Sequence, residues 1–165
     1  MRDTLDFDEF YAGTRRVLVA QVFAMVGDLG EAEDAVAEAF ARAWQRWRKV
    51  HLYADPAAWV RTVAYRIAVS SWRRARNRAT AHRRAGPPES AFDPQTLMLV
   101  EALRQLTPDQ RRAIVLHHLV GLSVAEISAE TGGSVSAVKQ WLSRGRRSLA
   151  NALGDDDLTE VDSRA

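Results

Sequence analysis

The chain has no cysteine among its 165 residues. That excludes disulfides, thiolate metal sites and cysteine nucleophiles together. Long apolar runs are missing too: no stretch approaches the ~20 residues a membrane-spanning helix requires, so no membrane insertion is expected. The opening Met1-Arg2-Asp3-Thr4-Leu5-Asp6 has neither the basic head nor the apolar stretch of a secretory signal. A cytoplasmic location is the simplest expectation. There is no phosphate-cradling glycine loop, no strand-like alternation and no internal repeat. A local absence says more. Between Pro56 and Pro88 there is no acidic residue, while Arg61, Arg66, Arg73, Arg74, Arg76, Arg78, Arg83 and Arg84 accumulate.

What is present fits a folded protein with a core, since 47% of the residues are hydrophobic and 27% charged. The formal net charge of +2 hides a segregation. Asp3, Asp6, Asp8, Glu9, Asp28, Glu31, Glu33, Asp34 and Glu38 make the first forty residues acidic, and the arginine block follows. An acidic block beside a basic one suggests two different partners, one of them a polyanion.

The pattern is helical nearly throughout. Phe10, Tyr11, Val17, Leu18, Phe23 and Met25 fall loosely at helical spacing, and Gly27-Asp28-Leu29-Gly30 reads as a turn. Ala32, Ala35, Val36, Ala39, Phe40, Ala43, Trp44 and Trp47 then recur as the buried stripe of an amphipathic helix. Asp55 before Pro56 marks the next helix start. That helix carries Trp59, Val60, Val63, Ile67 and Ala68 on one side, arginines on the other, and runs to about Arg78. Further helices are expected over Gln95 to Gln105, Pro108 to Val120, and from Ser123 onward. The fold class is therefore all-α, two small helical domains joined by a flexible linker. The expected boundaries are 1–78, a linker at 79–95 that contains Gly86-Pro87-Pro88 and Asp93-Pro94, 96–153, and an acidic tail at 154–165.

Ser123 to Leu142 fits a helix-turn-helix. Ser123 and Glu126 make a capping box, Gly132 suits a left-handed helix end, and Ser134 or Ser136 caps the second helix. Ile127, Val138 and Trp141 would meet in the angle between the helices. The second helix would then expose Ser136, Ala137, Lys139, Gln140, Arg144 and Arg147, a face able to enter the major groove. A helical hairpin with a solvated basic face is the alternative.

The stretch Glu33-Asp34-Ala35-Val36-Ala37-Glu38-Ala39-Phe40-Ala41-Arg42-Ala43-Trp44, followed by Trp59-Val60-Arg61-Thr62-Val63-Ala64-Tyr65-Arg66-Ile67-Ala68, resembles region two of the extracytoplasmic-function (ECF) sigma factors of bacterial RNA polymerase. Leu106-Thr107-Pro108-Asp109-Gln110-Arg111, Gly121-Leu122-Ser123-Val124-Ala125-Glu126-Ile127 and Val135-Ser136-Ala137-Val138-Lys139 resemble region four. Within the family, the actinobacterial sigma-E-like group is one candidate place for the chain. The resemblance implies core RNA polymerase and promoter DNA as partners, with an anti-sigma factor as a further possible one, no cofactor and no enzymatic activity. Region four would read the minus-thirty-five duplex through Ser134, Ser136, Lys139, Gln140, Arg144 and Arg147. Region two would melt and hold the minus-ten element, with Arg61, Tyr65, Arg66, Arg73 and Arg74 facing the melted DNA and the His51–Asp55 loop pocketing a flipped base. Asp34 and Glu38, one helical turn apart, resemble the acidic positions that meet the polymerase clamp; a solvated acidic face is their alternative. Trp59 is expected in the core.

The chain departs from the family pattern in three places. Val69-Ser70-Ser71-Trp72 stands where a basic residue and asparagine are usual. Gly133 replaces an apolar residue, which would loosen the turn. Trp141 is larger than expected. Two rivals remain: a stand-alone helix-turn-helix regulator, and an enzyme using His117 and His118 with Glu126 or a metal at Asp155-Asp156-Asp157. Adjacent histidines point to different helix faces, which disfavours a shared chelate.

Overall fold

The computed structural model describes residues 2–77 and 92–154. It contains eight helices and no strand among them, and the chain divides into two compact units, Met1–Pro88 and Glu89–Ala165. The all-α, two-domain expectation therefore holds. Most of the 79–95 linker and all but the first residue of the 154–165 tail lie outside the described residues.

The first unit comprises α1 (Arg2–Val26), α2 (Leu29–Gln45), the short α3 (Trp47–Val50) and α4 (Pro56–Asn77). Gly27, at φ 78°, closes α1, and Asp28 starts α2 by accepting from the Glu31 amide at 2.9 Å. Helix α2 buries Leu29, Ala32, Ala35, Val36, Ala39, Phe40 and Ala43. This stripe is mostly alanine, so α1 and α4 can approach α2 closely, and both pack on it. Phe7 and Phe10 of α1 join an aromatic cluster with Phe40, Trp44 and Trp47, at centroid separations of 5.1–6.3 Å.

Two expectations for this unit need correction. Trp44 belongs to the expected stripe but is 46% exposed, whereas Trp47 is 6% exposed. Helix α2 stops at Gln45, and Arg46 leaves helical geometry at φ −119° and ψ 17°. The buried stripe of α2 ends at Ala43, Trp44 lies beside it in the last turn, and the core continues four residues on at Trp47, as expected for that residue. On α4, Asp55 caps the first turn through the Ala58 amide at 3.0 Å, as anticipated. The buried residues, however, are Val60, Arg61, Ala64 and Ala68, while Trp59, Val63 and Ile67 are only half-buried. The stripe is rotated by one residue, about 100° of helix.

The second unit comprises α5 (Pro94–Arg104), α6 (Pro108–His118), α7 (Val124–Thr131) and α8 (Val135–Leu153). Asp93 and Pro94, placed in the linker by sequence, are the cap and first residue of α5. The Thr96 hydroxyl and amide, donating to Asp93, hold its carboxyl below the ordinary 3.8. Thr107 with Gln110 and Ser123 with Glu126 form capping boxes, and Ser134 caps α8 through the Ala137 amide at 3.0 Å. Gly132 ends α7 at φ 80°. Ile127 and Val138 are fully buried, and α6 and α7 both pack on α8. A Cβ on Gly145 would stand 2.8 Å from Cγ1 of the buried Ile114, so any larger residue there would force α6 and α8 to shift.

The helix-turn-helix turn is tied down rather than loose. Ser128 Oγ donates to the Gly133 carbonyl at 2.6 Å, the Gly133 amide donates to Thr131 Oγ1 at 3.2 Å, and Thr131 Oγ1 donates to the Ile127 carbonyl at 2.7 Å. The Trp141 ring lies where a Gly133 side chain would be: a Cβ there would stand 2.7 Å from Cζ3 and nearer still to Cη2. The two departures from the family pattern, a small residue and a large one, fit each other.

Candidate nucleic-acid interface

On α8, burial of Val138, Leu142, Gly145 and Ala150 leaves the opposite side to solvent. Ser136, Lys139, Gln140, Arg144 and Arg147 lie on that exposed side, with Ser134 at its head. Spacings of three and four residues align them in one stripe. The amino end of α8 adds backbone N–H groups and the positive end of the helix dipole, which suit a phosphate. Such a helix can offer bases its first residues and the backbone its arginines.

On α4 the expected set divides. Arg66, Arg73 and Arg74 are exposed, Tyr65 is half-buried, and Arg74 donates to Ser70 Oγ at 3.3 Å. Arg61 is not on this surface. It is 3% exposed, and its guanidinium donates to Gln21 Oε1 at 3.3 Å. Sequence reasoning also passed over Trp72, which is 56% exposed with the Arg76 guanidinium 5.2 Å from its ring centroid. The available signal was a tryptophan inside an acid-free arginine run.

Asp34 and Glu38 are both exposed on α2. Glu38 pairs with Arg42 at 3.0 Å, each side chain 52% exposed, and a solvated pair of this kind is worth little and is readily exchanged. Beside the 51–55 loop opens a cleft of about 570 Å³, lined by Trp44, Arg46, Trp47, Lys49, Tyr53 and Trp59 among others. The Trp47 indole N–H is buried with no acceptor among the described residues. His51 is committed to the Trp47 carbonyl at 2.6 Å. Flat apolar walls and cations make a cleft suited to an unpaired base.

The histidines proposed for chemistry are engaged structurally. His117 Nδ1 lies 2.8 Å from the Leu122 carbonyl, and His118 Nε2 accepts from Arg146 at 3.4 Å. Among the described residues, no three His, Asp or Glu side chains gather as a metal site. Asp155 to Asp157 lie outside those residues.

Residues 10–78 match the family model for sigma-70 region 2, and residues 96–149 match that for sigma-70 region 4. Over 152 residues the chain is 31% identical to the ECF RNA polymerase sigma factor SigL of Mycobacterium tuberculosis, covering 87% of this chain and 86% of SigL. The chain belongs to the ECF sigma factors. The RNA polymerase sigma-E factor of Streptomyces coelicolor is 29% identical, with 96% and 92% covered. SigJ of M. tuberculosis is 31% identical over 93% of this sigma factor, which spans only 54% of SigJ's length. Among solved structures, the fold is similar to the sigma factor RpoE of Bartonella quintana, crystallised with the anti-sigma factor NepR, at a TM-score of 0.76 and 23% identity, covering 92% of this chain and 98% of that one. Sigma factors are non-enzymatic initiation factors that give RNA polymerase its promoter. With both regions present, this sigma factor is not a stand-alone helix-turn-helix regulator.

Proposed function

We propose that the chain binds core RNA polymerase and directs it to a two-part promoter, with residues 96–153 reading the upstream duplex and residues 1–78 melting and holding the downstream element. In this reading 79–95 joins the two and 154–165 is a tail. The observation that carries the division of labour is that two faces of different chemistry sit on separate units of one chain. The α8 stripe mixes Gln140 and serines with Lys139, Arg144 and Arg147, as groove reading requires. The α4 side offers Arg66, Arg73 and Arg74 for a backbone, and the same unit carries the cleft at Trp44, Trp47 and Trp59 for a base.

The direct test is transcription by core polymerase plus this chain on a pool of genomic promoter fragments. Discrete starts that share a two-part upstream motif are the expected result. Tight duplex binding without core enzyme, and no such starts, would overturn the proposal.

Two substitutions separate the roles. Lys139→Ala and Arg144→Ala are each expected to lower the slope of log affinity against log salt by about 1 on duplex promoter, measured with holoenzyme. A flat response would move the duplex face elsewhere. Asp34→Arg with Glu38→Arg is expected to weaken core binding by about tenfold or more, because it sets like charges against the polymerase surface. Unchanged affinity in a sedimentation or fluorescence titration would return those acids to the solvated face.

In this reading the chain acts at promoters and so in the cytoplasm; separately, no helix among the described residues is long and apolar enough to cross a membrane. RpoE was solved with the anti-sigma factor NepR, and a second similar fold, CnrH, with the cytosolic domain of CnrY. By that likeness, an anti-sigma factor is the third partner of this chain.

A further inference from the structure

The end of α4 stands clear of its own core. Val60, Ala64 and Ala68 anchor the helix, but from Trp72 to Asn77 every residue is exposed. This end carries Arg73, Arg74 and Arg76 with no acid, inside the acid-free span from Pro56 to Pro88. Trp72 continues the Ala64–Ala68 stripe beyond the reach of the packed core and presents more than half its surface. Arg76 lies over its ring at 5.2 Å, one turn on.

The arginines select a polyanion. For phosphates alone they would suffice, and the indole would be a liability in water. A flat apolar face backed by a guanidinium matches one component of a polyanion, the face of an unpaired base, which gains from aromatic stacking and from the cation together. A duplex hides those faces against each other.

We propose that Trp72, supported by Arg76, is a stacking site for an unpaired base of promoter DNA, with Arg73 and Arg74 on the flanking phosphates. This rests on the sigma reading above and adds to it a residue that the resemblance does not supply.

The test uses holoenzyme reconstituted with core polymerase and three versions of a promoter recovered by the transcription experiment. One is fully duplex, one is a fork with the downstream strand unpaired, and one is the same fork with abasic sugars in that strand. Trp72→Ala is expected to weaken fork binding by about five- to a hundredfold, the range for loss of one stacked base. It should leave duplex binding, abasic-fork binding and core affinity unchanged. Trp72→Phe should retain most of the fork affinity. Equal binding by Trp72→Ala and the unaltered chain on the intact fork would overturn the proposal. So would an equal loss on all three DNAs, or a lowered melting temperature with no DNA effect, which would make the indole a packing element. Failure of the unaltered chain to bind core polymerase would instead refute the sigma reading itself, and this site with it.

Discussion

Arg61→Ala is expected to destabilise the first unit by about 2–4 kcal/mol while leaving its DNA contacts intact. The reason is burial: the side chain is 3% exposed and bridges from α4 to Gln21 of α1. Truncation leaves a cavity of the kind that costs about 2–5 kcal/mol in cores. It also leaves Gln21 without one donor, about 1 kcal/mol. Relief of the buried charge's desolvation works in the opposite direction and trims the total. The cavity decides the sign. Arg61→Met fills most of the space without the charge, and is expected to stay within about 1 kcal/mol of the unaltered chain. Thermal or denaturant unfolding measures both, and fork-promoter binding by the Arg61→Met holoenzyme should be unchanged. A stable Arg61→Ala protein that binds melted DNA poorly would show that Arg61 leaves the core to work on the strand.

The second large effect concerns Gly133 and Trp141. Gly133 is not among the positive-φ glycines, so alanine is compatible with its backbone. With the ring of Trp141 in the way, Gly133→Ala overpacks the turn and is expected to cost about 1–3 kcal/mol. In a Trp141→Ala background the obstacle is gone. The lower chain entropy of alanine in the unfolded state then dominates, and the same substitution is expected to stabilise by about 0.4–1 kcal/mol. A change of sign between backgrounds is the signature of direct contact, and a double-mutant cycle on the second unit's unfolding reads it. Equal effects in both backgrounds would mean that Trp141 does not rest on Gly133. Holoenzyme affinity for the minus-thirty-five duplex should fall with Gly133→Ala in the native background, because the turn sets the angle of α8.

What was legible in the sequence follows from how far each interaction reaches along the chain. Asp55, Ser123 with Glu126, and Gly132 act within three or four residues, so their roles as caps and helix end could be read locally and the structure has them there. Periodicity is equally local and disclosed an all-α chain, while the Gly86-Pro87-Pro88 stretch marked its division into two units. The α8 stripe was legible from Ile127, Val138 and Trp141; the first two are fully buried, while Trp141 is half-buried and Leu142 completes the core side. The Asp93 cap was missed because a proline beside an aspartate reads equally well as linker or as helix start.

The sequence by itself determined the longer helices, the caps at Asp55, Ser123 and Ser134, the charge segregation and the family. Tertiary structure alone decided which way each stripe faces. The angular phase of α4 depends on α1 and α2 packing against it, and that packing draws Arg61 inward and leaves Trp59 half-exposed. Of the two tryptophans expected in the stripe at the end of α2, packing takes Trp47 into the core and leaves Trp44 nearly half-exposed. Likewise, Gly133 and Trp141 are eight residues apart and each looked anomalous alone; only the fold back across the turn places the ring in the vacancy. Local hydrogen bonds and spacing are written along the chain, whereas the direction in which a helix presents its side chains is set by what the rest of the fold brings against it.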